Sequence, residues 1–145
     1  MKSMLTFVLF AALLCWVSFN PLHKHVLVMR QAVIQQEVDY LLDIGANASH
    51  GYISLDMIEQ SRARLAERGF DSEKLDYIVG STTGGGGDSA SRPVLRGDGL
   101  KLEILYPYGD LFALDRLMGM TPVDPHDKMS GRGIKMSEYL PERSP

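Results

Sequence analysis

The N-terminal apolar run is the feature that most constrains this chain. No Lys, Arg, Asp or Glu occurs within Ser3–His23, and Thr6 and Ser18 are the only hydroxyl residues of the stretch Met4–Phe19. A helix rises ~1.5 Å per residue and the hydrocarbon core of a bilayer is ~30 Å thick, so about 20 such residues span it. The run therefore predicts a transmembrane anchor over residues 1–22 of a single-pass protein of the cell membrane.

Two other interpretations of the run remain open. A cleaved signal peptide would use Met1-Lys2 as its charged start, but the residues Val17-Ser18-Phe19 do not resemble a small-residue cleavage site. Helical periodicity also resumes soon after Pro21, which favours a retained segment. A buried core helix is the third interpretation, and the length of the run without charge argues against it.

Four residues of the run are predicted to serve anchoring or assembly. The small pair Ala11 and Ala12 would let a neighbouring helix approach closely in lipid. Trp16 near the end of the run is typical of the aromatic fringe at headgroup level, and Pro21 marks the junction with the following segment. The predicted partners are membrane lipid and like subunits. Cys15, within the same run, is interpreted as a small apolar residue.

Length and composition limit how many domains the chain can form and which partners it can bind. The 145 residues suffice for one domain, and 15 basic against 18 acidic residues give a net charge of −3. That balance offers no basic field for nucleic acid. Cys15 is the only cysteine, so no intrachain disulfide, CxxC motif or zinc cluster can form.

The segment after Pro21 has the pattern of an amphipathic helix. Apolar residues recur at helical spacing, and polar residues occupy the opposite side. The apolar residues are Leu27, Ile34, Val38 and Leu41, and the polar ones are Gln31, Gln35, Gln36, Glu37 and Asp39. We predict a spine helix over residues 23–46, ended by Gly45 and Asn47. If Pro21 only kinks the chain, anchor and spine form one long helix.

Residues 47–140 are predicted to form a small α+β domain. Ser54 is a candidate N-cap for a second helix that Gly69 closes, with Glu59 and Arg62 paired on its solvent side. Three further elements follow in the prediction, namely a strand at Leu75–Val79, a hairpin of Val94–Arg96 and Leu100–Tyr106 around Gly97-Asp98-Gly99, and a last strand at Gly133–Tyr139.

The fold class expected is therefore α+β, with a long N-terminal helix, a second helix and an antiparallel sheet of three to four strands. A short helix over Asp110–Met118 and a frayed tail at residues 141–145 complete the expectation.

No pattern in the chain predicts a catalytic, cofactor or metal site. The loop Gly84–Gly87 lacks the lysine and hydroxyl of a phosphate loop, so it is interpreted as a flexible linker. Asp124-Pro125-His126-Asp127 lacks a recognised metal-ligand spacing and is interpreted as a solvated turn. His50 has no nucleophile motif nearby, and His23 and His25 fit an interfacial anchor. We expect neither a small-molecule substrate nor an enzyme.

The order of these parts resembles the type IV pilin-like proteins, and more narrowly the TadE-like minor pilins of Gram-positive bacteria. The features that carry the resemblance are the apolar helix with Pro21, its continuation Val26–Ile44, the exit segment Asn47–Ser54, the strand end Leu105–Tyr108 and the closing Ser137-Glu138-Tyr139.

The resemblance implies a structural subunit of a surface fibre or of a secretion or conjugation apparatus. Such a subunit would assemble through its N-terminal helix, with the C-terminal domain extracytoplasmic. A monomeric membrane-tethered accessory subunit that binds a larger envelope or secretion complex remains the alternative.

Overall fold

The computed structural model describes residues 1–109 and 127–141, and for residues 19–24 it describes the backbone alone. The elements are α1 (Lys2–Gly45), α2 (Leu55–Glu67), a 3-10 turn (Ser72–Lys74), β1 (Asp76–Ser81), β2 (Gly99–Pro107) and β3 (Lys128–Met136). The α+β class predicted from the sequence is confirmed. The predicted helix Asp110–Met118 and residues 142–145 of the predicted tail lie outside the described residues.

The chain divides into two compact units, Met1–Val33 and Ile34–Pro145. The first unit consists of helix α1 alone, and α1 runs on without interruption to Gly45 in the second unit. The backbone stays helical at Pro21. Anchor and spine segments therefore belong to one continuous helix.

In the described part of the second unit, the sheet has three strands in the order β1-β2-β3, and both pairs are antiparallel as predicted. Its central strand β2 places Leu100, Leu102, Ile104 and Tyr106 in the core, as the alternation of the sequence predicted. Lys101 is exposed between them, and Glu103 is half-buried. One face of the sheet is thus buried, and the other is open.

The predicted hairpin strand Val94–Arg96 is wrong. These residues form no strand, because their backbone groups are bonded elsewhere: Val94 N–H donates to the carbonyl of Gly51 (2.6 Å), and Arg96 N–H donates to that of Tyr139 (2.8 Å). Strand β2 pairs instead with β1 and β3. Residues 94–96 therefore connect the segment Asn47–Ser54 with the C-terminal residues, and they do not extend the sheet.

Helix α1 packs on the buried face of the sheet through residues of its last three turns. Ile34, Val38 and Leu41 are each at most 1% exposed. Strand β3 meets the helix with two glycines: a Cβ on Gly131 would lie 2.8 Å from Ile34 Cγ2, and one on Gly133 would lie 2.7 Å from a methyl carbon of Leu42. The missing side chains allow this close approach.

The last strand begins earlier than predicted, at Lys128 instead of Gly133, and ends at Met136. Beyond it, Ser137 N–H donates to the carbonyl of Asp98 and Glu138 N–H donates to that of Ala46, both at 2.8 Å. Ser137 and Glu138 therefore form hydrogen bonds with the turn before β2 and with the end of α1, and they are not part of a strand.

Helix α2 has the predicted boundaries. The Ser54 hydroxyl accepts a hydrogen bond from Met57 N–H at 3.2 Å, which confirms the N-cap. Gly69 follows the helix with a φ of +85°, where a residue without Cβ is favoured. Leu55 at the start of the helix is 76% exposed, whereas Ser61 and Leu65 are buried.

Candidate assembly surface

The first turns of α1 expose apolar side chains in all directions. Eleven large hydrophobic residues between Met1 and Val17 are each at least 50% exposed: Met1, Met4, Leu5, Phe7, Val8, Leu9, Phe10, Leu13, Leu14, Trp16 and Val17. A surface helix of a soluble domain normally carries such residues on one stripe only. A contiguous apolar surface of this kind marks a region that meets lipid or another protein.

A depression of about 570 Å³ lies on one side of this segment, lined by Met1, Met4, Leu5, Val8, Leu9 and Ala12. Ala12 is the smallest of the lining residues, so its short side chain leaves room between longer neighbours. Ala11 is half-buried and does not line the depression. The structure thus gives the two predicted assembly alanines different surroundings.

The other predicted anchor residues lie in the same helix. Trp16 is 51% exposed, and Cys15 is an exposed free thiol. Pro21 is helical in its backbone. Among the residues whose side chains the structure describes, no helix is both long enough and apolar enough to cross a membrane.

The candidate histidine and acidic positions do not come together. His50 Nδ1 is buried without a hydrogen-bond partner, and its ring centroid lies 5.9 Å from that of Tyr52. Asp127 is exposed, while Asp124 and His126 lie outside the described residues. Within the described part of the chain, no three His, Cys, Asp or Glu side chains are grouped so that they could hold a metal ion.

The loop Gly84–Gly87, predicted as a flexible linker, is held by specific contacts. The Ser81 hydroxyl donates to the carbonyl of Gly85 (2.7 Å) and accepts from its N–H (3.2 Å). Gly87 is buried, and its carbonyl accepts from Ile53 N–H at 2.8 Å. The sequence could not reveal the bond between Gly87 and Ile53, because these two residues lie far apart in the chain.

An ion pair between the buried Glu37 and the half-buried Arg64 joins α1 to α2. Glu37 is 5% exposed, and one of its oxygens accepts from Arg64 Nη2 (2.6 Å) and Nε (3.0 Å). The Arg64 guanidinium also lies 4.8 Å from the ring centroid of Tyr40. The hydrogen bond with Glu37 holds the pKa of Arg64 above its usual value. Glu37 was assigned to the polar side of the helix from the sequence, and that assignment is wrong.

A second polar contact connects α2 with β1. The hydroxyls of Ser61 and Tyr77 share a hydrogen bond at 2.9 Å, and the Arg62 guanidinium lies 5.1 Å from the Tyr77 ring centroid. Burial raises the pKa of the Tyr77 phenol, and the bond with Ser61 opposes that shift. Arg62 also donates to the carbonyl of Ser72, so it does not form the predicted pair with Glu59. These side chains hold the domain together.

The two polar contacts of α2 are thus satisfied within the domain, whereas the segment Met1–Val17 exposes large apolar side chains. Comparison with family models, with curated proteins and with solved structures finds no match to this chain.

Proposed function

We propose that this chain is a structural, pilin-like subunit that is anchored in the cell membrane and assembles with like subunits through the N-terminal part of α1. The observation that carries the proposal is the exposure of large apolar side chains all around the segment Met1–Val17. Burying a side chain of that kind stabilises by ~1.5–3 kcal/mol, so the segment gains most from lipid and from other helices.

The length of the apolar run supports a spanning segment. Residues 4–22 contain no charged side chain and are helical throughout. At ~1.5 Å per residue they extend ~28 Å, close to the ~30 Å of a hydrocarbon core. In this proposal the chain crosses the membrane once, and the domain that follows is extracytoplasmic.

Helix association in lipid depends on close packing rather than on the hydrophobic effect, since lipid tails are as apolar as leucine. The depression at Ala12 offers such packing, because a side chain of a second helix can enter between Val8, Leu9 and their neighbours. The function is therefore mechanical, and the domain needs no catalytic turnover.

The test replaces Ala11 and Ala12 by leucine in the full chain and measures self-association in detergent micelles by sedimentation equilibrium. Filling the depression should weaken association severalfold, while urea unfolding of the domain remains unchanged. Val17→Leu, an exposed position of the same segment outside the depression, is the matched control and should associate like the natural chain.

Two results would overturn the proposal. One is a double variant that associates as strongly as the natural chain. The other is a natural chain that stays monomeric in micelles at every concentration, which would favour a monomeric accessory subunit.

A further inference from the structure

The sheet has two edge strands, β1 and β3, and the outer edge of β3 is covered by side chains of α1. The Gln35 side chain of α1 accepts a hydrogen bond from Arg132 N–H (3.2 Å) and donates one to the Arg132 carbonyl (3.1 Å). One side-chain amide thus occupies both outward backbone groups of that residue. Lys135 further along β3 forms an ion pair with Asp43 of the helix. Such covering is how native proteins prevent an edge strand from pairing with another chain.

Among the described residues, none covers the edge of β1 in this way. Thr82 N–H donates to the carbonyl of Gly99 at 2.8 Å, and antiparallel ladders alternate residue by residue, so Ile78 and Gly80 also bond β2 while Tyr77 and Val79 point away from it. Within residues 1–109 and 127–141, no group bonds the outward N–H and C=O of Tyr77 and Val79. These four groups form a template for another strand.

The charged residues also distinguish the two edge strands, and again β3 is the strand less able to pair with a copy of itself. Strand β3 carries Lys128, Arg132 and Lys135, so a second β3 alongside it would bring positive charges together. Strand β1 carries Asp76 as its only charged residue, and the four residues that follow it are uncharged. An identical strand can therefore pair with β1 without repulsion.

We propose that a second copy of this chain pairs with β1, antiparallel and about a two-fold axis at Ile78. In this register Tyr77 faces Val79 of the second copy, Asp76 faces Gly80, and the outward groups of Tyr77 and Val79 form four intermolecular hydrogen bonds. The Ile78 side chains, each 53% exposed in one copy, meet across the axis on the open face of the sheet. Apolar cross-strand pairs of this kind stabilise a sheet.

This contact goes beyond the helix-mediated assembly proposed above. A two-fold contact is closed, so β1 yields pairs of domains and cannot by itself extend a fibre. Extension beyond the pair requires another surface, and the N-terminal part of α1 is the one proposed for it. The two contacts therefore fail independently when mutated.

The test is cross-linking of the full chain in detergent micelles at one engineered position. In a Cys15→Ser background, Ile78→Cys places two thiols across the axis in a non-hydrogen-bonded pair, whose Cα atoms lie ~4.5 Å apart, within the ~4.4–6.8 Å that a disulfide needs. Oxidation with copper phenanthroline should convert most of this variant into a disulfide dimer. Ile134→Cys in the same background is the control, because Ile134 is equally apolar and 62% exposed but belongs to the protected strand.

A second substitution tests the backbone contacts. Val79→Pro removes an outward N–H, which an edge strand tolerates without losing its own ladder. It should lower dimer formation by the Ile78→Cys variant severalfold and leave the far-ultraviolet circular dichroism unchanged. Dimer formation should persist when Ala11 and Ala12 are both leucine, which separates this contact from helix association. Equal cross-linking of the Ile78→Cys and Ile134→Cys variants, or a monomeric Ile78→Cys variant, would overturn the proposal.

Discussion

At the scale of single residues, Gly87 is the most constrained position of the glycine loop. Its φ is +88°, a region that side chains rarely adopt, and a Cβ there would lie 2.6 Å from Leu100 Cδ1 and 3.1 Å from Val94 Cγ2. Its N–H donates to the carbonyl of Arg92 at 2.9 Å. The loop thus contributes a buried backbone segment to the core.

We expect Gly87→Ala to destabilise the domain by about 2–6 kcal/mol, because left-handed strain and overpacking each cost about 1–3 kcal/mol. Gly84→Ala is the control, since Gly84 has a φ of +93° but no atom within 4 Å of an added Cβ. That variant should show the strain cost alone. Urea unfolding measures both, and equal losses for the two variants would mean that Gly87 is not packed as described.

The sequence predicts the loop but not this packing. Four consecutive glycines indicate a turn, whereas Gly87 also contacts Ile53 and Leu100, which local patterns cannot connect with it. Glu37 illustrates the same limit. Helical periodicity assigns a residue to a face of its own helix, and it cannot show that Arg64, 27 residues away, will cover that face.

At the scale of elements, the contact of α1 with β3 depends on backbone approach. A Cβ on Gly131 would meet Ile34 Cγ2 at 2.8 Å and the backbone atoms N and Cα of Gln35 at 3.1 and 3.2 Å. Backbone atoms cannot rotate away as a side chain can. A larger residue at this position must therefore displace the helix from the sheet.

Gly131→Ala should consequently destabilise the domain by about 1–3 kcal/mol, the usual cost of overpacking. Gly80→Ala on strand β1 offers a matched control, because no atom lies within 4 Å of a Cβ there and its φ is not positive. The control should be neutral or slightly stabilising, since alanine restricts the unfolded chain. Thermal or urea unfolding would refute the packing argument if the two alanines had the same effect.

Some helices and strands could be predicted from the sequence better than others, because only some of them follow local residue patterns. Strand β2 alternates buried and exposed residues as its sequence alternates apolar and polar ones, and the cap of α2 follows from Ser54. Strand β3 begins with Lys128 and contains two glycines, so it lacks the β-branched content by which strands are recognised. Its first half was missed because packing against α1, rather than propensity, selects its residues.

At the scale of the whole molecule, the chain combines two units with different surface chemistry. The domain Ile34–Pro145 has a core of fully buried apolar side chains and forms ion pairs between its own residues. The unit Met1–Val33 exposes apolar side chains over its first turns. A chain of this composition lowers its free energy when the first unit leaves water.

Triple substitution of His50, His126 and Asp127 should leave assembly intact, because these residues lie outside the segment proposed to mediate it.

The membrane proposal makes a prediction about the full-length chain. Replacing Leu9 and Leu13 by aspartate should move the chain from the carbonate-resistant membrane fraction to soluble or degraded material, because each central charge costs ~2.5–3.5 kcal/mol on the insertion scale. Ile78→Asp with Ile134→Asp is the control: both residues are exposed and apolar, as Leu9 and Leu13 are, but belong to the domain. The control should remain in the membrane fraction. A natural chain that is extracted by carbonate, or a control that leaves the membrane as readily as the Leu9 and Leu13 variant, would exclude the anchor.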